Sequence, residues 1–496
     1  MLTHLVILQV IVPLLAAPLC LFLTSSRLSW FFALISSLIT CVISILLLQQ
    51  VMTVGTIVYE LGDWNAPWGI EYRIDKLSAY LLIIISSIST VVLLAAQTSI
   101  EEEIPQDRHN VFYVLYLLSL AGMLGIVATG DVFNVFVFLE ITSLSAYSLI
   151  ALGRDRRALW ASYQYLIMGT IGATFILIGI GLMYQMTGTL NMNDLSVRLR
   201  EVDQTRTIFV AFSFIFVGIC LKLALFPLHF WLPNAYAYAP SIVTAFFAAT
   251  STKVAIYLLI RFTFSVFGLS YSFTALPLQT LLLVLGLLGI FVASIAAIYQ
   301  QNVKHLFAYS SIAQIGYMVV GISMNTTMGL MATLLHLFNH ALMKGALFLA
   351  LAALIYQTGS VRLSDFQGLG RQMPLTMAAI VLGGLSLIGV PLTVGFVSKW
   401  YLVLAAIEVG WWPVAVLMLV ASLLAIIYVW RIVEIAYFSP PANGMAQGRE
   451  IAKEAPLAFL IPVWLLVSSN IYFGIDTRLS VQVAQAASQS LIGLSP

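Results

Sequence analysis

The chain has 496 residues, of which 61% are hydrophobic and 8% charged, with a mean hydropathy of +1.02 and a formal net charge of +2. A water-soluble domain carries roughly 25% charged residues, so too little polar surface remains to cover a soluble globule, and the chain must be solvated mainly by lipid. A charge this close to zero excludes nucleic acid as a partner, and the three cysteines, Cys20, Cys41 and Cys220, stand far apart without a CxxC, which leaves no readable iron–sulfur or zinc site.

A bilayer core needs about 20 apolar residues per helical crossing. Runs of that kind predict an all-α polytopic membrane protein with about fourteen transmembrane helices, at 3–23, 28–50, 76–97, 111–129, 131–152, 160–185, 208–232, 240–266, 277–299, 305–324, 328–356, 375–408, 414–438 and 455–474. The first of them has no basic flank and reads as a retained membrane helix rather than a cleaved signal. An even number places both termini on one side of the membrane. Ten cations in one set of loops (Arg27, Arg108, Arg154, Arg156, Arg157, Lys304, Arg362, Arg371, Arg449 and Lys453) outweigh five in the other (Arg73, Arg198, Arg200, Arg206 and Arg478), which puts the termini outside. The polar stretches 52–75, 186–207 and 439–454 are too short to bury a core. No P-loop or dinucleotide fingerprint stands in a strand–helix context, so neither a nucleotide nor another bound cofactor is expected.

Five charged residues fall well inside these spans: Glu140, Lys222, Lys253, Lys344 and Lys399. A charge at a helix centre costs about 2.5–3.5 kcal/mol on insertion scales, so each needs a reason. The four cations are all lysine. A desolvated lysine can release its proton near neutrality, whereas arginine keeps its proton in any protein. Snorkelling or pairing with acids would be the plain structural explanation, but one carboxylate can match only one of four lysines. Two of the lysines stand beside helix breakers: Lys222 precedes Pro227 and Pro233, and Lys399 follows Gly389, Pro391 and Gly395. Interrupted helices survive at membrane depth only where they are buried in protein or line a wet cavity, and one in each half is the mark of an inverted-repeat transporter. His336, His340 and Lys344 follow at i, i+4 and i+8, one stripe on a helix face with neighbours about 6 Å apart. That spacing suits a proton relay through water. A haem would need a second histidine on another helix, for which His229 is only a loose candidate, so no metal site is expected.

At these residues the sequence resembles the antiporter-like membrane subunits of respiratory complex I and of Mrp-type multisubunit cation/proton antiporters. The matching stretches are GDVFNVFVFLEITSLSAYSLIAL, LKLALFPLHFWLPNAYAYAPSIVTAFFAATSTKVAIYLLIRF, QQNVKHLFAYSSIAQIGYM, HLFNHALMKGALFLALA and SLIGVPLTVGFVSKW, and they cover roughly residues 110–410. The resemblance implies fourteen helices with two inverted five-helix repeats, 111–266 and 277–438, each a proton-channel half, flanked by an N-terminal three-helix segment, 1–100, and a C-terminal helix and tail, 455–496. It implies that Glu140 is the fifth-helix glutamate and Lys222 its seventh-helix partner. Lys253 matches the eighth-helix lysine, Lys344 the eleventh-helix connecting group and Lys399 the twelfth-helix release site. One departure is PNAYAYAP after the seventh helix, with Asn234, Tyr236 and Tyr238 where the family usually carries an acid and a histidine. Of the shorter members, the antiporter's D subunit is the one the sequence resembles best.

The expectation is therefore a proton-translocating subunit of a multisubunit sodium (monovalent cation)/proton antiporter, with other subunits, protons, sodium and the lipid bilayer as its partners. A proton-pumping subunit of a quinone oxidoreductase or membrane-bound hydrogenase is the alternative within the family. A stand-alone solute transporter is the alternative from another class, and it would require a roomy pocket at the midplane.

Overall fold

The structure is a computed structural model and describes residues 4–202, 205–440 and 453–493; residues 441–452, most of the polar stretch 439–454, lie outside it. The helices in chain order are α1 Leu5–Leu19, α2 Ser26–Val54, α3 Lys76–Glu103, α4 His109–Ala128, α5 Val132–Ala151, α6 Arg156–Thr187, α7 Met192–Glu201, α8 Arg206–Leu223, α9 Trp231–Tyr238 and α10 Ser241–Ile260. They continue with α11 Leu278–Ile298, α12 Val303–Ser323, α13 Thr327–Thr358, α14 Leu369–Gln372, α15 Pro374–Ile388, α16 Val394–Glu408, α17 Trp412–Val433, α18 Leu457–Ile475 and α19 Arg478–Ile492.

Twelve helices among the described residues are long and apolar enough to cross a bilayer. The count of fourteen differs for two physical reasons. The first expected span is a 15-residue helix, α1, and the span 375–408 is divided into α15 and α16. The stretch 52–75 also departs from a purely helical reading. There, β1 Ile57–Glu60 pairs antiparallel with β2 Glu71–Ile74 and forms a small hairpin over the start of α3. The end of the molecule carrying it is the hairpin face below. The opposite end, where Arg157 lies over the Tyr238 ring and Asn302 bridges to Arg362, is the recess face.

Burial sorts the helices into an inner row and an outer ring. The most apolar windows of α10, α12 and α13 are 94%, 94% and 89% buried, against 39% for those of α2, α6, α11, α17 and α18. The inner row carries Lys253, His336, His340 and Lys344, because a charge is tolerable at membrane depth only where protein surrounds it. Lipid offers helices no hydrophobic reason to associate, so contact depends on close backbone approach. α6 meets α8 at Gly172 and Gly218, where a Cβ on Gly218 would lie 2.5 Å from Gly172 O. α11 meets α12 in the same way, with a Cβ on Gly316 falling 2.6 Å from Gly286 O.

Both expected interruptions are present. α8 stops at Leu223, Ala224 adopts a left-handed conformation (φ 58°), and regular helix resumes at Trp231. Pro227 lies in the gap, where its missing N–H leaves the ladder incomplete; Trp231 Nε1 donates to Leu221 O at 3.0 Å and satisfies one freed carbonyl. α15 stops at Ile388, Gly389 (φ 95°) and Leu392 (φ 70°) turn the chain through Pro391, and α16 begins at Val394. Neighbouring helices brace this second break. Asn339 Nδ2 donates to Val394 O at 2.6 Å, and Ser386 Oγ accepts from Gly395 N at 3.3 Å while donating to Asn470 Oδ1 at 3.1 Å.

The helices that lead to the site are also tied down at their starts. Pro240 and Met373, which precede α10 and α15, have no side chain able to accept from the first-turn N–H groups. Distant carboxylates do so instead. Glu103 accepts from Ser241 N at 2.8 Å, and Glu454 accepts from Leu375 N at 2.7 Å, each placing negative charge at a helix N-terminus.

Candidate functional site

The site begins on α5. Glu140, Ser143 and Tyr147 recur at i, i+3 and i+7 and so share a face. Lys222, in the last turn of α8, comes to meet them: its Nζ donates to Ser143 Oγ at 2.7 Å and lies 3.8 Å from Glu140 Oε1. The pair is loose. The Glu140 side chain keeps 27% of its surface, and its Oε1 accepts no hydrogen bond from the protein. α6 fits closely behind, since a Cβ on Gly169 would lie 1.9 Å from the Tyr147 hydroxyl oxygen, and Gly172 lets the Lys222 stem pass 3.7 Å from its Cβ position.

Lys253, on α10, is wholly buried; its Nζ donates to Ala248 O at 2.5 Å and Thr252 Oγ1 at 3.4 Å. Lys344, on α13, is equally buried and donates to Phe307 O at 2.8 Å and to Ser310 Oγ, with the Phe307 and Phe348 rings 5.7 and 5.9 Å away. Lys399 Nζ donates to Leu387 O and Ile388 O, both at 3.0 Å, and to Ser422 Oγ at 3.1 Å, and it lies 4.9 Å from the centre of the Tyr317 ring. Those two carbonyls are the last of α15, so Lys399 meets the partial negative charge of a helix C-terminus. Among the described residues no carboxylate reaches ion-pair distance of Lys253, Lys344 or Lys399. Carbonyls, hydroxyls and aromatic faces hold these ammonium groups instead.

The two histidines share a face of α13 with Lys344. His336 Nδ1 and Ser398 Oγ are 2.9 Å apart, and Ser398 adjoins Lys399 in the chain. The His336 and His340 rings are parallel with centres 6.2 Å apart. His336 is within electrostatic reach of Lys399 and Lys253, and His340 of Lys253 and Lys344. His336 Nε2 and both ring nitrogens of His340 are buried and bound to no group among the described residues; a small polar molecule such as water is what such atoms can still bind. His229 stands apart from this row, in the turn after α8, stacked on Phe226 and Phe230.

Sequence reasoning missed several participants. Ser143, Ser310, Ser398 and Ser422 hold the titratable groups, but serine is common in membrane helices and carries no signal of its own. Asn234, in the segment that departs from the family's usual pattern, donates to Gln164 Oε1 at 2.8 Å, and its Oδ1 lies 3.2 Å from His305 Nε2. His305 in turn lines a recess of about 440 Å³ with Arg157, Tyr238, Asn302 and Arg362. Lys304, counted above as a loop cation, is buried in the first turn of α12 and donates to Ala239 O at 2.9 Å. The cations inside the expected spans are not all lysines. Arg261, inside the predicted span 240–266, is buried and forms an ion pair with Asp75 at 2.7 Å.

Comparison with known proteins gives this arrangement a context. Residues 129–425, which include the whole lysine row, match the family model described as NADH:quinone oxidoreductase/Mrp antiporter, TM. The chain is 42% identical over 428 residues to the N-type component of the NADH-quinone oxidoreductase of Desulforudis audaxviator, covering 84% of each chain. It is 32% identical over 484 residues to the D-type component of the Na(+)/H(+) antiporter of Bacillus subtilis, covering 97% of this chain and 96% of the relative. A polypeptide of the Mrp complex from Dietzia sp. superimposes with a TM-score of 0.90, covering 100% of this chain and 98% of that one; at 24% identity the likeness speaks for the fold. A multi-pass helical protein with two interrupted helices and this extent of matching belongs to the transmembrane family of NADH:quinone oxidoreductase and Mrp antiporter subunits.

Proposed function

We propose that the chain is the proton-conducting subunit of a multisubunit Mrp-type monovalent cation/proton antiporter, and that protons pass through a relay made of Glu140, Lys222, Lys253, His336, His340, Lys344 and Lys399. The observation that carries this reading is the manner in which the lysines are held. A structural cation at membrane depth is best served by a bidentate acid, whereas the ammonium groups of Lys253, Lys344 and Lys399 rest on neutral oxygens, each of which tolerates either protonation state of its partner. The loose Glu140–Lys222 contact is the driver. When Glu140 moves towards Lys222 the ammonium form is favoured, and when it withdraws the proton passes on towards Lys253. The segments 111–266 and 277–438 serve as the two channel halves. The Lys/Arg distribution favours both termini on the outer side of a cell membrane.

Membership of an antiporter is supported by near full-length similarity to the D-type antiporter component. The higher identity to the N-type component of a quinone oxidoreductase favours a second reading, a proton-pumping subunit of a redox-driven complex. Both require neighbouring subunits, and both use the same row of residues. Purification of the native complex in mild detergent separates them by composition. Cation-dependent dissipation of a proton gradient in everted vesicles tests conduction itself; full activity with Lys222→Ala would exclude the proposed relay.

A further inference from the structure

The charged pair that the lysine row does not use lies at the hairpin end of α10. Lys253, Tyr257 and Arg261 recur at i, i+4 and i+8, so Arg261 stands about 12 Å further along the same face than Lys253. The Arg261 guanidinium is fully engaged. Nη1 donates to Asp75 Oδ2 at 2.7 Å and to Ser265 Oγ at 3.4 Å, Nη2 donates to Asp75 Oδ1 at 2.9 Å and to Ser78 Oγ at 3.2 Å, and Nε donates to the Tyr257 hydroxyl at 3.3 Å. Tyr257 in turn donates to Val127 O at 3.1 Å, which ties α10 to α4 as well as α3. Asp75 also accepts from Ser78 N at 2.8 Å and so caps α3. Burial opposes its ionisation, but the charge and hydrogen bonds of Arg261 prevail and hold its carboxyl below the usual carboxylate range.

We infer that Arg261, fixed by Asp75, seals the proton path at the hairpin face, so that a proton reaching Lys253 can leave only sideways towards His340 and His336. This rests on the proton-conducting reading above. Two properties make the pair suitable. A guanidinium does not release its proton, so it cannot serve as a stepping stone. Its donors are occupied by protein oxygens, so it offers little to a water chain. A lysine at the same place would have none of the first property and little of the second.

The test is passive proton uptake by proteoliposomes containing the assembled complex, driven by a potassium diffusion potential in the absence of the exchanged cation. The double variant Asp75→Leu/Arg261→Met removes both charges together and leaves neither stranded. It is expected to leak several-fold faster than wild type, and adding Lys253→Ala should restore tightness. Arg261→Lys keeps the ion pair but presents a group that can release its proton, and a smaller leak is expected. Wild-type tightness in both the double variant and Arg261→Lys overturns the seal, and so does a leak that persists without Lys253. The two readings fail separately. If conduction is wrong, the wild-type complex shows no coupled proton movement; if only the seal is wrong, a transporting wild type has variants that stay tight.

Discussion

The two interrupted helices carry the same side chain in opposite electrostatic settings. Lys222 stands just before its break, 3.8 Å from an ionisable carboxylate and bonded to a single serine. Lys399 stands just after its break, bonded to two terminal carbonyls of the preceding half-helix and to Ser422, with no acid of the described residues in range. A carboxylate can move or change its charge, and a helix terminus can do neither. Under the proposed relay, the first break would let its lysine be retuned and the second would hold its lysine in a constant field, which would suit the first half to driving and the second to release.

Replacing each lysine is the most severe way to break the comparison. Lys222→Ala should reduce proton transport by roughly 100-fold or more, the scale of losing a positioned proton-transfer group, while the complex still co-purifies. Lys222→Arg should fail equally, and an active arginine variant would show that fixed charge alone is needed there. Lys399→Ala should also abolish transport in everted vesicles, but with an added cost in stability. It strips a donor from two carbonyls at membrane depth, each worth about 1–3 kcal/mol if left unsatisfied, so its melting temperature should fall below that of Lys222→Ala. Equal melting temperatures would argue that the two settings are energetically alike.

Smaller changes sharpen the contrast. Glu140→Gln should lower transport less than Lys222→Ala does, because the relay group remains and only its driver is lost; Glu140→Asp should retain part of the activity. Full transport by Glu140→Gln would remove the asymmetry between the halves. Gly395→Ala would place a Cβ 1.7 Å from Ser386 O. Overpacking against backbone costs about 1–3 kcal/mol or more, which thermal unfolding in detergent should register as a clear loss at the second break. Ser143→Ala is expected to be mildest, a few-fold fall in rate from the loss of one hydrogen bond to the Lys222 ammonium. A change as large as that of Glu140→Gln would make Ser143 part of the driver.

Most of the membrane architecture was legible in the chain because lipid imposes a simple rule. Every backbone group must be paired within its own segment, so spans declare themselves as apolar runs of fixed length, and Pro227 and Pro391 mark breaks because they remove donors. The rule weakens where a helix is short or divided, which is why α1 and the α15–α16 pair fall below the length of a full crossing. The five charged residues at membrane depth could also be named from sequence, since the cost of burying a charge makes each conspicuous. Their partners could not. Ser143, Ser398 and Ser422 acquire meaning only when α5 meets α8 and when α13, α16 and α17 converge, because an uncharged hydroxyl carries no mark of what it will touch. Arg261 illustrates the same limit from the other side. The sequence shows an arginine near the end of a span and an aspartate 186 positions away; only the packing of α10 against α3 brings them to 2.7 Å and distinguishes a charge locked by a bidentate acid from Lys253, Lys344 and Lys399, which are held by neutral oxygens.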